Sequence, residues 1–191
     1  MKKDAAQTDI QFEQTIAECR QLFAGKLHDY GASWRILRPQ SLTDQLFIKA
    51  KRIRSLEIKG RSLVGEGIRP EFIALINYGI VGLIQMERGF ADTVDISVDE
   101  ALSLYDRHAA EALELMKRKN HDYDEAWRDM RVSSYTDFIL TKIERVKEIE
   151  DLQGNTLVSE GVESNYMDII NYAVFGAIKT CGDEAPADVA K

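Results

Sequence analysis

The chain has 191 residues, enough for one large or two small domains, with 45 % hydrophobic and 30 % charged side chains, an ordinary globular balance. Its net charge of −7 disfavours a protein that coats duplex nucleic acid with a basic face, but admits a phosphorylated small molecule where metal ions bridge the charges. Two widely spaced cysteines, Cys19 and Cys181, an N-terminus with no apolar core behind its lysines, and no apolar run near the roughly 20 residues of a membrane span set the expectation of a reduced, soluble, cytoplasmic protein.

In chain order, the first helix is expected from about Asp9 to Lys26, followed by an irregular loop around His28-Asp29-Tyr30 and Trp34. A middle helix starts near Thr43 and ends at Gly60, the residue type that most often closes a helix. A third starts near Pro70, where proline suits the first turn, and its apolar residues (Phe72, Ile73, Leu75, Ile76, Ile80, Val81, Leu83, Ile84) run nearly all round it, as in a buried helix. Gly89 to Ser97 reads as a linker.

The same order then recurs. Ser97-Val-Asp-Glu100 is a capping-box pattern at the head of a helix reaching about Lys119. His121-Asp122-Tyr123 and Trp127-Arg128 repeat the first loop. Ser134-Tyr-Thr-Asp137 gives a second capping-box pattern for a middle helix ending at Gly154, and a third helix starts near Ser164. The register holds through Phe12/Tyr105, Lys26/Lys119, Thr43/Thr136, Lys49/Lys142, Arg52/Arg145 and Glu57/Glu150. After one inserted residue it resumes through Gly60/Gly154, Ile76-Asn77-Tyr78/Ile170-Asn171-Tyr172 and Gly82/Gly176. A helical module of roughly 80 residues therefore occurs twice, the signature of a repeat architecture. The division is residues 1–90 for a first repeat, 97–180 for a second, and 181–191 for a frayed tail. Three helices make a thin core alone, so the copies are expected to pack on each other as an all-α, pseudo-twofold bundle.

The copies differ in their acids. Glu144, Glu148 and Asp151 share one face of the second middle helix, where the first copy has Lys51, Ser55 and Ile58. Asp168 faces Ala74 in the alignment and Glu163 faces Arg69. Such a stripe is either a solvated face or a cluster neutralised by Mg²⁺. Asp168 lies on a helix with little polar surface, one turn before Asn171, and needs a partner. Glu150 falls near the apolar side of its helix, where Arg145 or Lys142 would satisfy it. Lys142 and Arg145, one turn apart, are alternatively phosphate ligands. His121, Tyr123 and Trp127 either hold a nucleobase or pin a loop to the bundle. No His or Cys partners stand at zinc spacing, and there is no phosphate loop or nucleophile elbow.

The run Lys142-Ile-Glu144-Arg145, then Glu163-Ser-Asn-Tyr-Met-Asp168-Ile-Ile-Asn171-Tyr172, with the HDY and tryptophan segment before it, resembles the nucleotide modification associated domain family of bacterial and phage proteins. These are similar to the MazG-like all-α nucleoside triphosphate pyrophosphohydrolases. The resemblance implies Mg²⁺ held by Glu144, Glu148, Glu163 and Asp168, with Glu148 and Asp168 catalytic. It implies a small nucleotide held by Lys142, Arg145, Asn171, His121, Tyr123 and Trp127; charge and hydropathy set the expectation of no nucleic-acid or membrane partner. The alternative is a nucleotide-binding module without catalysis, or a structural helical protein. The first copy then acts as an internal pseudo-subunit, completing the pocket as a second chain does in homodimeric relatives; a homodimer is compatible with the duplication but not required by it.

Overall fold

A computed structural model describes residues 2–60, 62–63, 65–154 and 161–182. It has six α-helices and, among the described residues, no strand: α1 (Lys2–Tyr30), α2 (Pro39–Lys59), α3 (Arg69–Arg88), α4 (Val98–Tyr123), α5 (Val132–Asp151) and α6 (Gly161–Lys179). Short 3₁₀ turns, Ser33–Ile36 and Ala126–Asp129, stand at equivalent places after α1 and α4. The all-α, tandem-repeated architecture is as the sequence implies.

The boundaries show which local signals govern. Ser97 caps α4 by accepting a 3.1 Å hydrogen bond from the Glu100 amide, as the capping box requires. Gly60 closes α2 in the left-handed region with φ 67°. The first helices, however, run on through both HDY triplets, which form their last turns rather than a loop. α1 stops where Gly31 turns left-handed at φ 65°, and α4 stops at Asp124, with φ 47°. Glycine adopts that conformation freely and aspartate tolerates it. The middle helices begin earlier than expected, at Pro39 and Val132, because a proline seeds the first and the 3₁₀ turn leads straight into the second. Ser134 is therefore already inside α5 and caps nothing; the N-cap is Arg131, without a side-chain bond.

Each helix packs against its own duplicate, α1 on α4, α2 on α5 and α3 on α6, and the core side chains of both copies form one cluster. At the α3–α6 crossing the two helices lock reciprocally. A Cβ on Gly82 would lie 2.6 Å from the ring of Tyr166, and a Cβ on Gly176 would lie 2.6 Å from the ring of Phe72. Phe72 and Tyr166 are equivalent in the duplication, so each third helix lays an aromatic ring into the glycine notch of the other. Ile170 comes as close to Gly79.

A second reciprocal contact joins α2 and α5. Thr43 donates to Glu150 at 2.7 Å, and Thr136 donates to Glu57 at 2.9 Å. This replaces the expected pairing of Glu150 with Arg145 or Lys142: the apolar side of α5 faces α2, and the threonine that reaches Glu150 belongs to the other copy. Burial raises both carboxyls above the ordinary glutamate value, and the threonine bonds offset only part of that.

Two consequences are measurable. Gly82→Ala or Gly176→Ala should lower the melting temperature. Overpacking a rigid ring contact costs about 1–3 kcal/mol, more than the roughly 1 kcal/mol that alanine gains over glycine inside a helix. For Glu57 and Glu150 the folded state binds the proton more tightly than the unfolded one. Their stabilising contribution is therefore complete below the ordinary value of 4.5 and is lost as pH rises through the elevated folded values. A Glu57→Gln, Glu150→Gln variant keeps both acceptors for threonine without the buried charge. Its melting temperature should exceed that of the native chain by more at pH 7 than at pH 4.

Candidate functional site

The segments after the HDY triplets are tied to the ends of the third helices. Gln85 near the end of α3 donates to the carbonyls of Trp34, Arg35 and Leu37, at 3.1–3.2 Å. Its duplicate, Lys179, donates to the carbonyl of Arg128 at 2.6 Å and to that of Met130. In the first copy Arg35 is buried and reaches Asp95 at 2.7 Å, Gly89 O at 2.6 Å and the Gln85 side chain. In the second copy the corresponding hub is a carboxylate, Glu125. It accepts from Thr8 at 2.5 Å, Trp127 Nε1 at 3.2 Å, Arg128 Nε at 2.8 Å and the Asn120 amide. Burial pushes its carboxyl up, but these donors together outweigh burial and hold it below the ordinary value.

This anchoring roofs a cavity of about 240 Å³ in the second copy, walled by α4, α5, α6 and the 3₁₀ turn. Six aromatic side chains, Tyr123, Trp127, Tyr135, Phe138, Tyr172 and Phe175, line it. Trp127 stacks on Phe175 with centroids 4.5 Å apart, and the Arg128 guanidinium carbon stands 4.4 Å from the Trp127 centroid, so much of the indole face is already covered. Tyr123 stands at the cavity with 72 % of its surface exposed. His121 does not reach it: the imidazole is exposed, 3.2 Å from the Asp122 carboxylate.

Two polar groups mark the inner wall. Asp168, nearly buried, accepts from Lys119 at 2.5 Å and from Lys142 at 2.6 Å. Burial raises its carboxyl and the two ammonium groups outweigh that, leaving it below the ordinary aspartate value. The triad carries one net positive charge. Asn171, only 5 % exposed, has neither amide atom partnered among the described residues. Its duplicate shows what is missing: Asn77 donates to the Cys19 carbonyl at 3.2 Å and accepts from the Tyr105 hydroxyl at 2.8 Å. Phe12, which takes the place of Tyr105 in the repeat, has no hydroxyl to offer.

Of the residues singled out from sequence, the structure brings Asp168, Asn171, Tyr123 and Trp127 to this cavity, and Lys142 reaches it only through its ion pair with Asp168. Glu144, Glu148, Arg145 and Glu163 are exposed, and Glu144 stands 3.6 Å from Lys147 on its own helix. Among the described residues no three His, Cys, Asp or Glu side chains gather at metal-binding distance. These residues do not fit a carboxylate-bridged Mg²⁺ centre: the one buried acid is already neutralised by two lysines, and the others face solvent. Glu160, a further candidate by position, lies outside the described residues. Lys119 and Glu125 were not singled out, although the contrasts Ala74/Asp168 and Ala32/Glu125 between the copies mark where each acts.

The sequence profile of the nucleotide modification associated domain 1 family matches the chain twice, over residues 26–86 and 119–180. The two matches start and stop at equivalent points of the duplication and together cover more than half of the chain, which belongs to this family. No curated protein and no solved structure matches it. Among the described residues, no helix is long and apolar enough to cross a membrane.

The unpartnered amide makes a contrasting pair of substitutions informative. Asn77→Leu strands the Tyr105 hydroxyl and should cost about 1–3 kcal/mol, whereas Asn171→Leu removes a buried group that bonds nothing and should be neutral or stabilising. Thermal denaturation of the two variants side by side checks this.

Proposed function

We propose that the second copy is a nucleotide-binding module that works without a metal centre. The base enters the aromatic cavity and the phosphate lies toward the cations at its edge. The observation that carries this reading is Asn171: a buried carboxamide with no protein partner, on the wall of an aromatic cavity, beside a triad of net positive charge. A carboxamide offers one donor face and one acceptor face, the pair that the hydrogen-bonding edge of a base complements. Binding by a reorientation of that side chain converts an unsatisfied polar group into a bonded one, which favours the bound state.

Size supports the division of labour. Pockets that take whole small molecules run about 300–1,000 Å³, and this one is about 240 Å³. It suits a base, with sugar and phosphate outside near Lys119, whose side chain is half exposed. Lys142 backs the site through Asp168. The name of the family agrees with a nucleotide ligand. A cytoplasmic setting, where nucleotides are abundant and both free thiols stay reduced, belongs to the same reading.

The test is a thermal-shift titration with nucleoside monophosphates and triphosphates, run in EDTA and again with Mg²⁺. Ligand at 100 times its dissociation constant should add about 2.7 kcal/mol to stability. The expected result is a shift that survives EDTA and is smaller in Asn171→Leu and Lys119→Ala than in the unaltered chain. A shift that appears only with Mg²⁺, together with turnover, would overturn the reading in favour of a metal-dependent hydrolase. No shift with any nucleotide would leave a helical scaffold.

A further inference from the structure

The first copy holds a cavity of its own, about 340 Å³, built from the same positions of the repeat: Lys26, Tyr30, Trp34, Asn77 and Tyr78 stand where Lys119, Tyr123, Trp127, Asn171 and Tyr172 stand in the second. Its chemistry differs at three points. Glu71, equivalent to Asn165, supplies the buried acid, one helical turn before Ala74, which replaces Asp168. Glu71 pairs with Lys49 at 3.3 Å and with Arg52, which leaves Lys26 without an ion pair among the described residues. Ala32 stands in place of Glu125, so the indole N–H of Trp34 is buried with no acceptor, whereas that of Trp127 has one. Asn77 is committed to Cys19 and Tyr105 and has no free amide to read a base.

We propose that this cavity is a second, separate ligand site, for an anionic aromatic molecule of nucleoside monophosphate size, held by its charge and ring face with little regard to the base. Lys26 takes the phosphate, Tyr30 and Trp34 line the ring's path, and the Trp34 N–H donates to an acceptor on the ligand. The cavity falls within the range for whole small ligands, larger than its duplicate because Val81 and Ala74 replace Phe175 and Asp168. The site stands on its own geometry and does not depend on binding in the second copy.

The chain has two tryptophans, one at each cavity, so each can report separately. In Trp127→Phe, Trp34 emission is followed while the four ribonucleoside monophosphates are titrated in EDTA. We expect saturation with dissociation constants within roughly threefold of one another, because stacking is tolerant of base identity. Weakening of about tenfold or more is expected in Lys26→Ala, which removes the charged contact, and in Ala74→Asp, which restores the acid of the second copy. Equilibrium dialysis of the Asn171→Leu chain, with both tryptophans intact, should still give one nucleotide bound per chain, a result that stands even if a tryptophan variant fails to fold. Absence of saturation at Trp34, saturation that neither substitution weakens, or no nucleotide bound by the Asn171→Leu chain would overturn the proposal. A responding Trp34 in Trp127→Phe beside a silent Trp127 in Trp34→Phe would support the first-copy site and overturn binding in the second copy.

Discussion

Everything in this molecule depends on how closely α3 and α6 approach. Two glycine notches receive two aromatic rings in a reciprocal contact with room for no side-chain carbon on either glycine. Helices that approach so closely cannot slide or rotate without driving a ring into backbone, so the crossing fixes both third helices about their own axes. That rotation places the chemistry. On α6, Tyr166, Ile170 and Ala173 fall on the face turned to α3, while Asp168, Asn171, Tyr172 and Phe175, at intervals of three and four, fall on the face turned to α4 and α5. The cavity wall is thus the reverse side of the symmetry axis.

Charge is distributed with equal economy. Each copy keeps three cations at equivalent positions, Lys26, Lys49 and Arg52 or Lys119, Lys142 and Arg145, and one buried acid on its third helix. A buried carboxylate is tolerable only when paired, and a second one nearby would raise the cost. The acid has not been added or lost between the copies but displaced by one turn. At Glu71 it ties down Lys49 and Arg52; at Asp168 it ties down Lys119 and Lys142. The same fold therefore presents its uncompensated charge at a different place in each half.

The duplication, the six helices and the burial of the third pair were legible because they depend on periodicity and on matched residues within one chain. The linker and the Ser97 cap followed from local chemistry. What misled was information that no single helix carries. A wheel drawn for α5 shows that Glu144 and Glu148 lie opposite its apolar stripe, but not that Lys119, from a different helix, has claimed Asp168. Glu150 was rightly placed toward the apolar side, yet its partner, Thr43, comes from the other copy. The HDY triplets looked like loop because they precede a loop; the left-handed residue that ends each helix comes one position later. Asn171 was legible as a polar residue on an apolar helix, but the contrast of Phe12 with Tyr105 gains its meaning only from the structure, which shows the Tyr105 hydroxyl bonded to Asn77.

A tandem repeat fused in one chain is free in a way a homodimer is not. In a symmetric dimer every substitution appears twice, so a change that opens one pocket opens both, and a change that harms the axis harms it from both sides. Here the axis contacts, Gly82 with Tyr166 and Gly176 with Phe72, have stayed matched, as have Thr43 with Glu150 and Thr136 with Glu57. Away from the axis the matching ends: Ala32 against Glu125, Phe12 against Tyr105, Ala74 against Asp168, Val81 against Phe175. All four of these contrasts fall on the walls of the cavities or on the groups that satisfy them. Packing has held the glycine–ring and threonine–glutamate contacts of the shared interface while the walls of the two cavities diverged, and divergence at the cavity walls is what separate ligand chemistry in the two halves would require.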